Sequence, residues 1–120
     1  MFCCIFSALI TSLNGKIITY NLAGSPKSST TTTIDVSQLL PGVHYLVLLA
    51  IGHIDGDYAT IGVGHFAYSN SYVGFSLFKI PGGNSILDFS YVNNSSSKKI
   101  DITTISTSGI NSDGILIFIR

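Results

Sequence analysis

The chain has 120 residues, enough for one domain, and only 10% of them are charged, against about 25% in an average globular protein. Five Lys and one Arg balance six Asp and no Glu, so the formal net charge is zero, which excludes the basic patch of a nucleic-acid-binding protein. The 46% apolar content excludes a disordered chain, and the abundance of Ile, Val, Thr, Tyr and Phe favours strands over helices.

The N-terminal residues 1–15 form the first predicted element. They are apolar but too short for a transmembrane helix, which needs about 20 residues. The first positive charge is Lys16, so a secretory signal peptide is disfavoured. Cys3 and Cys4 have no metal-binding or disulfide spacing. We therefore expect an N-terminal docking segment or strand without membrane insertion, followed by a single domain over residues 16–120.

Turn signals containing Gly, Pro and Asn divide the rest of the chain at intervals of roughly 10 to 15 residues, which is typical of an antiparallel sandwich or barrel. The runs between them predict eight strands, at residues 16–22, 32–37, 44–52, 58–67, 72–80, 85–92, 99–105 and 114–120. We expect an all-β fold, an antiparallel β-sandwich of jelly-roll type. An immunoglobulin-type sandwich is the alternative, but the chain lacks Trp and a suitable Cys pair.

Hydrophobic alternation separates two kinds of strand. Residues 99–103 alternate Ile with polar residues, as for one buried and one wet face. Residues 45–51 and 115–119 are apolar on both faces, so the second face needs a cover, either the N-terminal segment or another copy of the chain. The predicted subunit-interface residues are Leu46, Leu48, Ile115, Ile117 and Ile119.

Catalytic and metal-binding patterns are weak. His53, Asp55 and Asp57 form an oxygen-rich run that could hold a hard cation, but the EF-hand spacing is not met and a turn is the preferred interpretation. His44 and His65 are not spaced from each other or from His53 as in known metal-binding motifs. Without Glu, a nucleophile motif or a phosphate-binding loop, we expect no enzyme, no metal and no cofactor.

Aromatic residues next to Asn and Ser provide the better candidate for ligand binding. Tyr68, Asn70 and Tyr72 lie in a predicted hairpin, and exposed tyrosines of this kind recognise sugars and protein epitopes. They are the first predicted ligand-binding residues, and His53, Asp55 and Asp57 are the second set. The alternative is that the tyrosines pack a strand pair or a subunit interface.

Two segments carry a resemblance to a known family. Residues 34–47, IDVSQLLPGVHYLV, lead from an alternating strand through a Gly-containing turn into a Tyr-led apolar strand, and residues 113–120, DGILIFIR, end the chain on an apolar strand. This pattern resembles bacteriophage tail-fibre and receptor-binding tip domains. The resemblance implies a homotrimeric β-sandwich on the virion whose distal loops bind a host cell-surface glycan or protein. It also implies that the N-terminal segment docks to other virion proteins.

We therefore expect a virion fibre or tip protein that mediates host attachment. The alternatives are a purely structural virion decoration or adaptor protein and a carbohydrate-binding module outside viruses. A small hydrolase is the remaining alternative. A test of oligomeric state and a glycan-binding test separate these functions.

Overall fold

In the computed structural model, residues 17–25, 29–53, 59–70, 72–81, 87–94, 97–106 and 111–120 are described. The predicted docking segment, residues 1–15, lies outside them. Eight strands are present: β1 (Ile17–Ser25), β2 (Ser29–Asp35), β3 (Tyr45–His53), β4 (Ala59–Tyr68), β5 (Val73–Lys79), β6 (Leu87–Asn94), β7 (Lys99–Ser106) and β8 (Ser112–Ile119). The predicted all-β fold of about eight strands is confirmed.

The strands form two antiparallel sheets. The larger sheet has the order β1-β8-β3-β4-β5, and the smaller has the order β2-β7-β6. The first strand pairs with the last, and the second strand pairs with the seventh, in the wrapped manner of a jelly roll. The strands β3, β4 and β5 then follow one another as a meander within the larger sheet. The predicted antiparallel β-sandwich is therefore confirmed.

The core lies between the two sheets and is built from alternate residues of each strand. In β3, Tyr45, Val47, Leu49 and Ile51 are buried, and their neighbours are more exposed. The smaller sheet contributes inward-facing residues of β7 in the same way. The largest fully buried side chains of the core are Tyr45, Phe66, Phe118, Leu39, Leu49, Ile51, Leu87, Ile100, Ile102, Leu116, Val36 and Val47.

Two glycines of β4 permit close packing. A Cβ atom at Gly64 would lie 1.7 Å from the carbonyl oxygen of Ser76 on β5, which no side chain can tolerate. A Cβ atom at Gly62 would lie 2.9 Å from the ring of Phe89, on the opposite sheet. The sequence Gly62-Val63-Gly64 thus marks a close approach of neighbouring elements, as glycines inside a strand often do.

A single 3₁₀ turn, Val36–Gln38, connects the two sheets after β2. The Asp35 carboxylate accepts a hydrogen bond from the Ser37 amide at 2.9 Å, and this bond lowers the pKa of Asp35. The left-handed backbone at Gly42, with φ of 75°, then turns the chain into β3. Within the described part of the chain, no helix is long and apolar enough to cross a membrane.

Candidate functional site

The outward surface of the larger sheet carries apolar residues on all five strands, with Thr19, Asn21, His65, Ser76 and Asp113 among them. Register places Leu48 directly opposite Ile117 on β8 and Val63 on β4, and it continues the row to Phe78 on β5. Parallel rows lie on either side. We call this surface the apolar face, and its members are Ile17, Leu46, Leu48, Ala50, Ile61, Val63, Phe78, Ile115, Ile117 and Ile119.

The outward surface of the smaller sheet has the opposite character. The hydroxyls of Thr31 and Thr103 are hydrogen-bonded across β2 and β7 at 2.8 Å, and the Thr33 hydroxyl donates to the Asp101 carboxylate at 2.6 Å. The apolar members of this surface are Val92 and Ile105. We call it the polar face. The outer surface of the larger sheet is thus more apolar than that of the smaller sheet.

The apolar face is comparable in size with the largest apolar patches on soluble monomers. Ile17, Leu46, Ile61 and Phe78 are 45%, 48%, 36% and 72% exposed. With roughly 200 Å² for each fully exposed residue, these four alone leave about 400 Å² of mainly apolar surface. The largest patches on soluble monomers measure roughly 300–600 Å² and often mark interaction sites. The extent of the face thus favours an interface.

The structure brings together all five residues predicted to form a subunit interface. Leu46 pairs with Ile119, Leu48 pairs with Ile117, and Ile115 lies opposite Ala50. All of them belong to the apolar face. Their alternates along β3 and β8 point into the core, so these two strands are apolar on both faces, as predicted.

The β4–β5 hairpin contains the first set of predicted ligand-binding residues. Asn70 is exposed, and Tyr72 is 51% exposed. The Ser69 amide donates to the Tyr72 carbonyl at 2.9 Å and closes the hairpin. The expectation of an exposed Tyr68 is wrong, because Tyr68 is only 5% exposed and its hydroxyl donates to the backbone carbonyl of Leu39. The hairpin therefore presents Asn70 and Tyr72 to solvent.

A shallow cavity of about 450 Å³ opens at the other end of the larger sheet. His53 contributes to its wall, together with Asn21 and Asp113. Its remaining lining is Ala50, Gly52, Gly114 and Ile115. Asp55 and Asp57, which were predicted to act together with His53, lie outside the described residues. The sequence did not indicate Asn21 and Asp113, because they come near His53 only through the pairing of β1 with β8 and of β8 with β3.

Among the described candidates, His53 lies far from Asn70 and Tyr72. The strand β4 begins beside the end of β3 that carries His53, and it ends at Tyr68, next to the hairpin. Its ten residues span roughly 30 Å at about 3.3 Å per residue. The hairpin and the cavity are therefore separate candidate sites at opposite ends of one sheet.

Two histidines that are 21 positions apart in sequence come together near the rim of the apolar face. The Nδ1 atom of His44 and the Nε2 atom of His65 lie 2.7 Å apart, and the ring centroids are separated by 4.9 Å. Both side chains are exposed. Among the described residues, no group of three or more His, Cys, Asp or Glu side chains is placed to hold a metal ion.

No protein-family model, curated protein or solved structure matches this chain.

Proposed function

We propose that this chain is the β-sandwich subunit of a virion fibre or tip that mediates host attachment, and that its homotrimer buries the apolar face between copies. The observation that carries the proposal is the contrast between the apolar face and the polar face of the same sandwich. The virion location and the trimer are proposed because residues 34–47 and 113–120 resemble phage receptor-binding tips.

Free-energy magnitudes support association of copies through this face. Burying about 400 Å² of apolar surface on each copy gains at most roughly 10 kcal/mol per copy at about 25 cal/mol per Å². Association costs roughly 4–15 kcal/mol in lost freedom of motion. Since the chain has no net charge, copies do not repel each other at long range.

Oligomeric state tests the assembly. We expect the wild-type chain to be a trimer by size-exclusion chromatography with light scattering at micromolar concentration. Leu46→Lys and Phe78→Lys place a charge on the apolar face and should yield monomers. Val92→Lys is the matched control, because Val92 is 64% exposed but lies on the polar face. A wild-type monomer, or equal dissociation of Val92→Lys, would contradict the proposed assembly.

In the proposed attachment function, the β4–β5 hairpin contacts the ligand. Tyr72 offers a flat exposed ring with a polar tip, and Asn70 adds amide hydrogen-bonding groups, the combination that suits glycans and protein epitopes. Three copies would raise weak contacts to useful avidity. The test is retention of the trimer on a glycan array or on host cells, with Asn70→Ala and Tyr72→Ala reducing it. A trimer that no glycan and no host surface retains would instead have a structural role in the virion.

A further inference from the structure

We propose that His44 and His65 form a two-imidazole chelating site for a divalent transition-metal ion with right-angle coordination, Cu²⁺ or Ni²⁺. The site lies within one copy of the chain, so it is independent of the proposed function. Imidazole nitrogens are ordinary ligands of both metals, and square-planar or tetragonal coordination by nitrogen and oxygen is typical of them.

The sheet fixes the distance between the two rings. His65 lies on β4 directly opposite Leu46 of β3, and His44 immediately precedes β3, two positions before Leu46. The two histidines are thus diagonal neighbours on the outward side of one strand pair, a separation that long side chains bridge. One ligand therefore lies on the paired strand β4, and the other lies one residue before the paired part of β3.

The separation of the ligand atoms suits right-angle coordination. Two nitrogens at about 2.0 Å from a metal lie roughly 2.8 Å apart at a right angle and roughly 3.3 Å apart in a tetrahedron. The two nitrogens lie 2.7 Å apart as hydrogen-bond partners, near the first value, and the rings must turn for both lone pairs to meet at the metal. Exposed side chains rotate within nanoseconds, so both lone pairs can turn toward one point beside the pair while the backbone stays in place.

The proton balance of binding is simple. Without metal, one of the two facing nitrogens carries a hydrogen and donates it to the other. When the metal binds, that hydrogen moves to the remote nitrogen of the same ring, and both facing nitrogens donate lone pairs to the ion. Each imidazole stays neutral, and water occupies the other coordination positions.

Calorimetric titration of the untagged 120-residue chain with Ni²⁺ tests the site. Cys3→Ser and Cys4→Ser are introduced first, because thiolates compete for these metals. We expect one ion per chain, and at least a tenfold loss of affinity in His44→Ala and in His65→Ala. Each variant should keep the wild-type melting temperature, because both side chains are exposed.

Ser90→Ala is the control, because Ser90 is exposed on β6 of the smaller sheet, away from both imidazoles. It should leave Ni²⁺ binding unchanged. A Cu²⁺ spectrum by electron paramagnetic resonance should show two coupled nitrogens in the parent chain and at most one in either single variant. The proposal is overturned if binding is not saturable, if it survives both His44→Ala and His65→Ala, or if Ser90→Ala weakens it equally.

Discussion

Tyr68 donates its hydroxyl hydrogen to the backbone carbonyl of Leu39, and the adjoining amide of Leu40 donates to the hydroxyl of Tyr45 at 2.9 Å. The carbonyl and the amide belong to the same peptide group, so two tyrosines of neighbouring strands satisfy both of its ends. Tyr45 and Tyr68 are both buried, at 1% and 5% exposure. This arrangement anchors the segment after the 3₁₀ turn on β3 and β4.

Tyr68→Phe should lower the free energy of unfolding by about 1–3 kcal/mol, because it leaves a carbonyl without its hydrogen-bond donor in the protein interior. Tyr72→Phe removes the same group from a half-exposed ring and should change stability by less than about 0.5 kcal/mol. Urea unfolding monitored by circular dichroism measures both variants. An unchanged midpoint for Tyr68→Phe would show that the peptide group does not need this bond.

The position of Tyr68 shows what the sequence could and could not predict. All eight strands were predicted to within three residues, because turn signals and alternation are local properties. β4, however, ends at Tyr68 and not at residue 67, and its alternation places Tyr68 on the same inward side as Phe66. Because β4 is one residue longer at this end than predicted, Tyr68 lies in the core and not on the surface.

The candidate sites depend on register between distant segments, which local patterns do not contain. The apolar face was predictable in part, because residues 45–51 and 115–119 lack polar alternates. The pairing of His44 with His65 and the meeting of Asn21 with Asp113 were not, because each needs a specific alignment of two strands. Hydrophobic patterning therefore predicted the apolar face but not the polar clusters.

Gly64→Ala should destabilise the fold by roughly 3 kcal/mol or more, because the new methyl group would overlap the carbonyl oxygen of Ser76 and force β4 and β5 apart. Gly74→Ala, on β5, is the control. Its Cβ atom would lie 3.4 Å or more from its neighbours, so that substitution should cost little. Melting temperatures of the two variants give the comparison. Equal melting temperatures would mean that the strands can separate there at no cost.

Thr60→Val should cost about 1–3 kcal/mol of stability. The Thr60 hydroxyl is fully buried and donates to the Leu87 carbonyl at 2.7 Å, so it joins β4 of the larger sheet to β6 of the smaller sheet. Thr31→Val removes a hydroxyl from the exposed polar face and should change stability by less than about 0.5 kcal/mol. Chemical denaturation of the two variants tests the difference, and equal losses would contradict a special role for the buried hydroxyl.

The ion pair between Lys79 and Asp88 should make stability depend on acid pH. The Lys79 Nζ atom lies 2.7 Å from the Asp88 carboxylate and connects β5 of one sheet to β6 of the other. The hydrogen bond from Lys79 is the largest cause that lowers the pKa of Asp88 in the folded state, and the Phe89 amide adds to it. Both side chains are about two-fifths exposed, so solvent screens the pair.

The direction of this pH dependence follows from the lowered pKa of Asp88 in the folded state. The stabilisation is fully present above the pKa of the unfolded chain and is lost as pH falls through the folded-state pKa. Asp88→Asn should therefore be less stable than wild type at pH 7, by about 0.2–1 kcal/mol for an exposed pair. At pH 2 the difference should shrink toward zero, because wild-type Asp88 becomes protonated.

Urea unfolding at pH 7, 5, 3 and 2 measures the trend, with Lys79→Gln and the double variant completing a thermodynamic cycle. A deficit for Asp88→Asn that stays constant from pH 7 to pH 2 would contradict a role for the carboxylate charge.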